Sequence, residues 1–267
     1  MTIGEAAARR DVLVVGGGVI GLACAQALSA AGRSVLLLER DRIGAATSHG
    51  NCGTLTPSHA LPLAAPGMVA KALGWMLKPD APFLVRPRFD PALWAWLLRF
   101  AGRCDERTFR AAIAPKAALL SASQALLDAL VRSRGLDCGH RREGLLYVWR
   151  DAQAFEAGCR SHALLREHGI AVDEWDGART EREEPSLREG VAGALFFPDD
   201  GHLRPDRYTA ELARIAMQDG AVIEEGADIV ELVRDGEGWR ATARDGRRWQ
   251  ARELLLASGP WAARMAG

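Results

Sequence analysis

The order of apolar and polar residues near the start of the chain predicts two strands that flank a helix. Residues 11–15 form a short apolar run typical of a buried strand, and a glycine-rich stretch follows it directly. Residues 22–31 are apolar and predict a helix that ends at Gly32, and residues 34–38 predict a second buried strand. Strand, turn, helix and strand in this order form a βαβ unit, whose two strands run parallel.

Residues 67–135 carry apolar side chains at helical spacing. Asp90 followed by Pro91 predicts a helix start, because aspartate caps helix N-termini and proline is favoured at the first helical position. Two apolar stripes follow, one of Leu93, Trp94, Leu97, Leu98 and Ala101 and one of Leu119, Ala122, Leu126, Ala129 and Leu130. We expect both stripes to pack against the protein's own sheet, as most globular helices do.

The remainder of the chain alternates between strand and helix patterns. The predicted elements are extended stretches at 57–66 and 170–172, strands at 144–149 and 193–198, and helices at 152–168 and 206–219, the last capped by Asp206. A β-meander with Asp-Gly turns covers 229–233, 239–243 and 248–251, and 253–259 predicts a separate buried strand.

Composition narrows the class of protein. The chain has 267 residues with 34 basic and 34 acidic side chains, so its zero net charge gives no general attraction to nucleic acid. Five cysteines without a Cys-x-x-Cys pair favour a reducing compartment over a disulfide framework or a zinc site. The six histidines lack ligand spacing, so we predict no bound metal. No apolar run of transmembrane length is free of glycine and charge.

The glycine-rich turn carries the most specific chemistry. Gly16, Gly18 and Gly21 match the fingerprint of dinucleotide-binding folds, in which they allow a tight turn, close approach of a pyrophosphate and close helix–strand packing. The helix N-terminus offers free N–H groups and a partial positive charge to phosphates. Glu39 ends the second predicted strand, where a carboxylate accepts hydrogen bonds from ribose hydroxyls. Because it also repels a 2′-phosphate, it favours FAD or NAD over NADP.

Four segments, in order along the chain, carry a family resemblance. They are the glycine fingerprint with Glu39, the small-residue loop 47–53 with the proline-rich stretch 57–67, the segment 199–205, and the strand end 256–261. Together they resemble the flavin-dependent amine oxidoreductases of the D-amino-acid oxidase class. The bacterial D-amino-acid dehydrogenases are the most similar group, and glycine oxidase is slightly further away.

The resemblance implies a fold, a cofactor and a reaction. The fold class is α/β, with a Rossmann-like FAD-binding domain and β-meander at 1–85 and 198–267, and a partial α+β substrate domain at 86–197. The cofactor is FAD, which takes a hydride from the α-carbon of an amino acid and leaves a 2-oxo acid and ammonia after hydrolysis. An electron acceptor such as a quinone would reoxidise the flavin of a dehydrogenase.

The same resemblance implies a set of cofactor contacts but no catalytic residue. The implied contacts are Gly16, Gly18, Val19, Ile20, Gly21, Glu39, Arg40, Thr47, Ser48, Gly50, Asn51, Gly53, Ile229, Ala257, Gly259 and Trp261. His49 is expected to be a surface or hydrogen-bonding residue. His202 and Arg204 are expected to lead structurally into the following helix.

Three questions stay open at this point. Members of the family continue well beyond the length of this chain, which predicts a truncated gene, a split subunit or a fragment with a complementing C-terminal polypeptide. The chain is a D-amino-acid dehydrogenase, a glycine or sarcosine oxidase that makes hydrogen peroxide, or a non-catalytic subunit that holds FAD. The basic, tryptophan-rich segment 71–116 leaves both the cytosol and the inner-membrane surface as locations.

Overall fold

A computed structural model describes residues 9–76, 80, 85 and 89–265. The strands are β1 (Arg10–Val15), β2 (Val35–Leu38), β3 (Thr54–Leu55), β4 (Leu145–Trp149), β5 (Asp173–Asp176), β6 (Gly193–Phe197), β7 (Gly201–His202), β8 (Val222–Glu224), β9 (Ile229–Asp235), β10 (Gly238–Ala243) and β11 (Arg248–Leu256). The α-helices are α1 (Val19–Ala30), α2 (Met68–Met76), α3 (Pro91–Ala101), α4 (Glu106–Arg134), α5 (Ala152–Arg166), α6 (Gly177–Glu183), α7 (Pro205–Gln218) and α8 (Ala262–Met265). Short 3₁₀ helices cover Pro57–Ala60 and Gly259–Trp261.

The chain divides into two compact units. The first unit contains the described residues of Met1–Thr54, Ala129–Arg141 and His202–Gly267, and the second unit contains those of Leu55–Asp128 and Arg142–Gly201. The domain boundaries predicted at 85/86 and 197/198 stay a prediction, and residue 86 lies outside the described residues.

The first unit is built on a mixed sheet with the strand order β8-β2-β1-β11-β10-β9. β1 pairs in parallel with β2 and β11, which places β1 between them. The predicted βαβ unit is therefore present, with α1 as the crossover. One core of this unit gathers buried side chains of the sheet, including Leu13, Leu36 and Trp249.

One long strand replaces the two strands predicted at 248–251 and 253–259. The first residues of β11 pair antiparallel with β10, and Ala251 to Leu256 pair in parallel with β1. The exposed side chains of Arg252 and Glu253 interrupt the apolar pattern without interrupting the backbone ladder. The prediction of two separate strands was wrong, because the backbone pairing continues through residues whose side chains are exposed.

The second unit contains a three-stranded antiparallel sheet with the order β4-β6-β5. Its apolar core contains Leu165, Leu195 and Phe197, which are almost completely buried. β5 and α6 were not predicted, since the strand sequence Asp-Glu-Trp-Asp is mostly polar and exposed. Among the described residues, no helix combines the length and apolar character needed to cross a membrane.

The predicted helix α3 begins as expected, but its apolar stripe is not buried. The Asp90 carboxylate accepts a hydrogen bond of 3.0 Å from the Leu93 N–H and so caps the helix. Leu93 is only half-buried, and Trp94 and Leu98 are exposed by 49% and 74%. The expectation that this stripe packs on the protein's own sheet was therefore wrong, because none of its side chains is buried.

The apolar stripe predicted on α4 is exposed, and a different face of the helix is buried. Leu119 and Leu126 are 70% and 73% exposed, whereas Phe109, Ile113 and Ala117 are buried. The buried face continues with the polar residues Gln124 and Asp128, which removes its apolar signature from the second half of the helix.

Two other local predictions were wrong. Residues 57–60 form a 3₁₀ helix instead of an extended stretch, with the His59 N–H bonded to the Thr56 carbonyl. The N-cap of α7 is Arg204, and Asp206 lies in the first turn, where its carboxylate pairs with the Arg204 guanidinium at 2.7 Å. Aspartate is favoured in both places, because the positive end of the helix dipole stabilises it in each.

Candidate cofactor-binding site

The glycine turn after β1 is closed by contact with the end of β11. Gly16 has φ +113°, and a Cβ on it would lie 2.5 Å from the carbonyl oxygen of Ala257. The Ala257 N–H donates to the Val15 carbonyl at 2.8 Å, which holds the two segments together. Only glycine fits this backbone conformation and this contact without a shift of the main chain.

The other two fingerprint glycines bring α1 close to its surroundings. A Cβ on Gly21 would collide with the carbonyl oxygen of Gly16, so this glycine permits the tight approach of helix and strand. A Cβ on Gly18 would lie 3.1 Å from the Ser48 hydroxyl, which accepts a 2.9 Å hydrogen bond from the Val19 N–H. The serine thus bonds one N–H group at the positive end of α1, where an anion is also favoured.

Backbone hydrogen bonds hold the Glu39 carboxylate at the end of β2. Its Oε2 atom accepts from the Gly17 N–H at 2.7 Å and its Oε1 atom accepts from the Asp41 N–H at 2.9 Å. A carboxylate oxygen has two lone-pair sites, so each oxygen keeps an acceptor position. The two hydrogen bonds hold the carboxylate beside the glycine turn.

The small-residue loop is shaped by Asn51 and Gly53. The Asn51 amide donates to the Ser48 carbonyl at 2.8 Å and its oxygen accepts from the Gly53 N–H at 2.8 Å. Gly53 has φ +66°, and a Cβ there would collide with the Leu203 carbonyl oxygen. These two residues give the loop its conformation. Thr47 and Ser48, at its start, line the cleft described next.

A cleft of about 940 Å³ opens beside these groups. The predicted contact residues that line it are Gly16, Gly18, Val19, Ile20, Glu39, Arg40, Thr47, Ser48, Ile229, Ala257, Gly259 and Trp261. Gly21, Gly50, Asn51 and Gly53 do not line it. All the lining residues belong to the first unit. Direct contact between these residues and a cofactor stays a prediction.

Sequence reasoning missed several lining residues, of which Ser258 is chemically the most informative. Its hydroxyl oxygen is buried and has no hydrogen-bond partner within the part of the chain that the structure describes. A buried polar atom without a partner is unfavourable, and this one belongs to a residue that lines the cleft. Its position between Ala257 and Gly259, both predicted contacts, was the signal available in the sequence.

The cleft also contains an ion pair near its β9 side. The Arg244 guanidinium donates to the Asp228 carboxylate at 2.7 Å, and both residues line the cleft. The neighbouring Ile229, one of the implied cofactor contacts, begins β9. The β-meander thus supplies one wall of the cleft, and the glycine turn supplies another.

The histidine and arginine candidates lie elsewhere. His49 is exposed and does not line the cleft. The His202 and Arg141 backbones form an isolated antiparallel bridge, and Arg204 pairs with Asp206. None of the three lines the cleft.

A buried polar cluster of the second unit was not predicted from the sequence. The Asp200 carboxylate, 1% exposed, accepts hydrogen bonds from the Ser58 hydroxyl at 2.5 Å and from the Ser58 N–H at 3.1 Å. His59 Nε2 and the Tyr147 hydroxyl share a hydrogen bond of 2.6 Å. Burial raises the pKa of Asp200, and the two hydrogen bonds from Ser58 oppose that rise. Burial, with a smaller contribution from the charge of Asp200, also raises the pKa of Tyr147.

The raised pKa of Asp200 predicts a pH-dependent stability. Burial favours the protonated carboxyl, so its stabilising contribution is complete below about pH 4 and is lost as the pH rises through the raised pKa. We expect Asp200→Asn to gain stability relative to the wild type as the pH rises from 4 to 7, by about 1.4 kcal/mol for each pH unit that separates the raised pKa of Asp200 from its ordinary value. Urea unfolding at several pH values measures this difference.

Asp245→Asn is the control, because Asp245 is exposed and the hydrogen bond from the Arg247 N–H lowers the pKa of its carboxyl. A lowered pKa changes stability only below about pH 4, so the unfolding free energy of this variant relative to the wild type should stay nearly constant between pH 5 and pH 7. An Asp200→Asn difference that is equally flat, or that moves against the variant as pH rises, would contradict the burial account.

Comparison with known proteins identifies the family. Residues 11–267 match the family model described as FAD dependent oxidoreductase. A D-amino acid dehydrogenase from Paramagnetospirillum magneticum is 34% identical over 261 residues, which cover 93% of this chain and 60% of that protein. A D-amino acid dehydrogenase from Granulibacter bethesdensis is 33% identical over 222 residues, which cover 82% of this chain and 53% of that protein. The chain thus spans between about half and three fifths of these relatives.

Solved structures show the same fold. Glycine oxidase from Geobacillus kaustophilus superposes with a TM-score of 0.72 at 24% identity, over 97% of this chain and 57% of that one. L-amino acid deaminase from Proteus myxofaciens, in complex with anthranilate, superposes with a TM-score of 0.67 at 17% identity, over 99% of this chain and 49% of that one. The predicted α/β fold class is confirmed. With the family model covering residues 11–267, the chain belongs to the family of FAD dependent oxidoreductases.

Proposed function

We propose that this chain is a flavin-dependent oxidoreductase that binds FAD and oxidises D-amino acids to 2-oxo acids and ammonia. The observation that carries the proposal is the cleft at which the Gly16 turn, the anchored Glu39 carboxylate and the end of β11 meet. The choice of D-amino acids is supported by the relatives named D-amino acid dehydrogenase at 34% and 33% identity.

The residues of the cleft fit the parts of FAD. The first turn of α1 has N–H groups and no acidic side chain, so its positive end favours a pyrophosphate. The remaining lone pairs of Glu39 accept hydrogen bonds from ribose hydroxyls. When bound, FAD supplies the acceptor for the two electrons that leave the substrate. The chain's own contribution is to bind and orient that acceptor.

The first experiment asks whether the purified chain retains FAD and reduces it with substrate. After incubation with FAD and gel filtration, we expect flavin absorption bands to co-elute with the protein. Anaerobic addition of a mixture of D-amino acids should bleach these bands, and the matching L-amino acids should not.

Each other result points to a different account. Retained bands that no amino acid bleaches would support a non-catalytic FAD-holding subunit, and adding the C-terminal part of a full-length relative would test for a complementing polypeptide. Bleaching by glycine or sarcosine with rapid reoxidation in air would favour a peroxide-producing oxidase over a quinone-linked dehydrogenase. A chain that retains no flavin would contradict the proposal.

Gly16→Ala tests the closure of the glycine turn. The added methyl group would displace the Ala257 carbonyl and with it the wall of the cleft, so we expect FAD affinity to fall at least about tenfold, or about 1.4 kcal/mol. Quenching of flavin fluorescence during titration measures the affinity.

Gly220→Ala is the matched control for this substitution. Gly220 also has a positive φ, +97°, but its Cβ would meet no atom within 4 Å, and it does not line the cleft. The control should bind FAD as the wild type does. Unchanged affinity in Gly16→Ala would show that the cofactor is not held against this turn.

We also propose that α3 attaches the protein peripherally to an anionic membrane surface. Trp94, Trp96 and Leu98 are exposed by 49%, 54% and 74%, and the surrounding segment is basic. Tryptophan, leucine and basic side chains are typical of helices that lie at the membrane interface.

Co-sedimentation with vesicles tests this attachment. We expect binding to vesicles that contain anionic phosphatidylglycerol and little binding to phosphatidylcholine alone. Leu98→Ser should weaken the binding, whereas Leu119→Ser, which changes an equally exposed leucine of α4, should not. Equal binding to both kinds of vesicle, or none, would contradict the attachment.

A further inference from the structure

Two residues from strands that are not neighbours meet beside the glycine turn. Arg40 directly follows Glu39 at the end of β2, and Trp261 ends the 3₁₀ helix that follows β11. In the sheet, β1 lies between β2 and β11, and the carboxyl end of β1 runs into the glycine turn. A contact between Arg40 and Trp261 therefore bridges the two strands that flank this turn.

The contact has cation–π geometry. The guanidinium carbon of Arg40 lies 5.6 Å from the centroid of the Trp261 ring, and both residues line the cleft. The Arg40 Nε atom pairs with the Asp41 carboxylate at 2.9 Å, which orients the guanidinium. Trp261 is 39% exposed, so the bridge lies at the mouth of the cleft instead of in the core.

The backbone on both sides of the bridge is fixed. Glu39 accepts from the Asp41 N–H, and the Glu39 N–H donates to the Glu224 carbonyl at 2.9 Å, so Arg40 lies within an anchored turn. On the other side, the Trp261 N–H donates to the Ser258 carbonyl at 3.1 Å. The bridge thus joins two ordered segments, and only its side chains need to move to open it.

We propose that Arg40 and Trp261 form a strap across the cleft that retains a bound dinucleotide by closing over its adenosine half. The inference rests on the proposed function, in which this cleft holds FAD. The adenosine half is indicated because Arg40 adjoins Glu39, the residue placed to accept the ribose hydroxyls. A planar guanidinium and an indole ring are also the two side-chain surfaces on which a purine stacks most favourably.

The strap predicts how the dissociation rate of FAD responds to substitution. Trp261→Leu removes the aromatic face and Arg40→Gln removes the cation, and we expect each to speed FAD release about tenfold. Because the two residues act as a pair, the double variant should release FAD little faster than either single variant. Arg40→Lys keeps the charge but loses the planar face, so it should resemble Arg40→Gln.

FMN is the discriminating probe, since it carries the same flavin and one phosphate but no adenosine. Protein loaded with FAD or FMN is diluted, and the rise in fluorescence of released flavin gives each dissociation rate. Because FMN has no adenosine for the strap to hold, we expect its dissociation rate to change less than about twofold in every variant. Circular dichroism of the variants should match the wild type.

Arg234→Gln is the matched control. Arg234 lies 5.6 Å from the ring of Trp239, the same distance as in the strap, but neither residue lines the cleft. Its FAD release should equal that of the wild type. Two outcomes would overturn the strap alone, provided that the wild type retains FAD. One is an unchanged FAD dissociation rate in Trp261→Leu and Arg40→Gln, and the other is an equal increase of the FAD and FMN dissociation rates in these variants. A wild-type chain that retains no FAD would overturn the proposed function and the strap with it.

Discussion

The approach of the Gly16 backbone to the carbonyl of Ala257 is the constraint on which the site depends. It exists because β11 pairs in parallel with β1 over Ala251 to Leu256 and then continues alongside the glycine turn. The same pairing fixes where α1 begins and where the chain after β11 leaves the sheet. Glu39, Ser48, Ser258 and the Arg40–Trp261 strap all lie around this one junction. The position of the cleft therefore follows from the strand order, and this backbone arrangement places the polar side chains around it.

Much of the frame could be predicted from the sequence because its signals are local. The strand–glycine–helix–strand order needs only residues 11–39, and the Asp-Gly turns of the meander need only two residues each. Twelve predicted contacts line the cleft, and these come from motifs whose backbone conformation is set by glycine or by a strand end. Asn51 and Gly53 show where a local motif is not sufficient. They were implied to contact the cofactor, but they hold the shape of the loop and do not line the cleft.

The remaining features depend on distant partners that no local pattern encodes. The α4 helix buries Gln124 and Asp128 where an apolar stripe was expected, and Ser58 is held in a 3₁₀ turn by Asp200, which lies 142 residues away. The continuous β11 strand carries charged residues at its middle, because its ladder partners and not its side chains decide its extent. Ser258 became informative only when its hydroxyl proved to be buried without a partner in the described chain.

We propose that FAD binds at the junction of Gly16, Glu39 and the end of β11. Amide hydrogen exchange with and without FAD tests it most directly, since it reports on each backbone segment independently of catalysis. We expect FAD to slow exchange at residues 17–22, 39–48 and 257–261 and to leave the β4–β6 sheet of the second unit nearly unchanged. Retained FAD without protection of these three segments would contradict it, because the cofactor would then be held elsewhere.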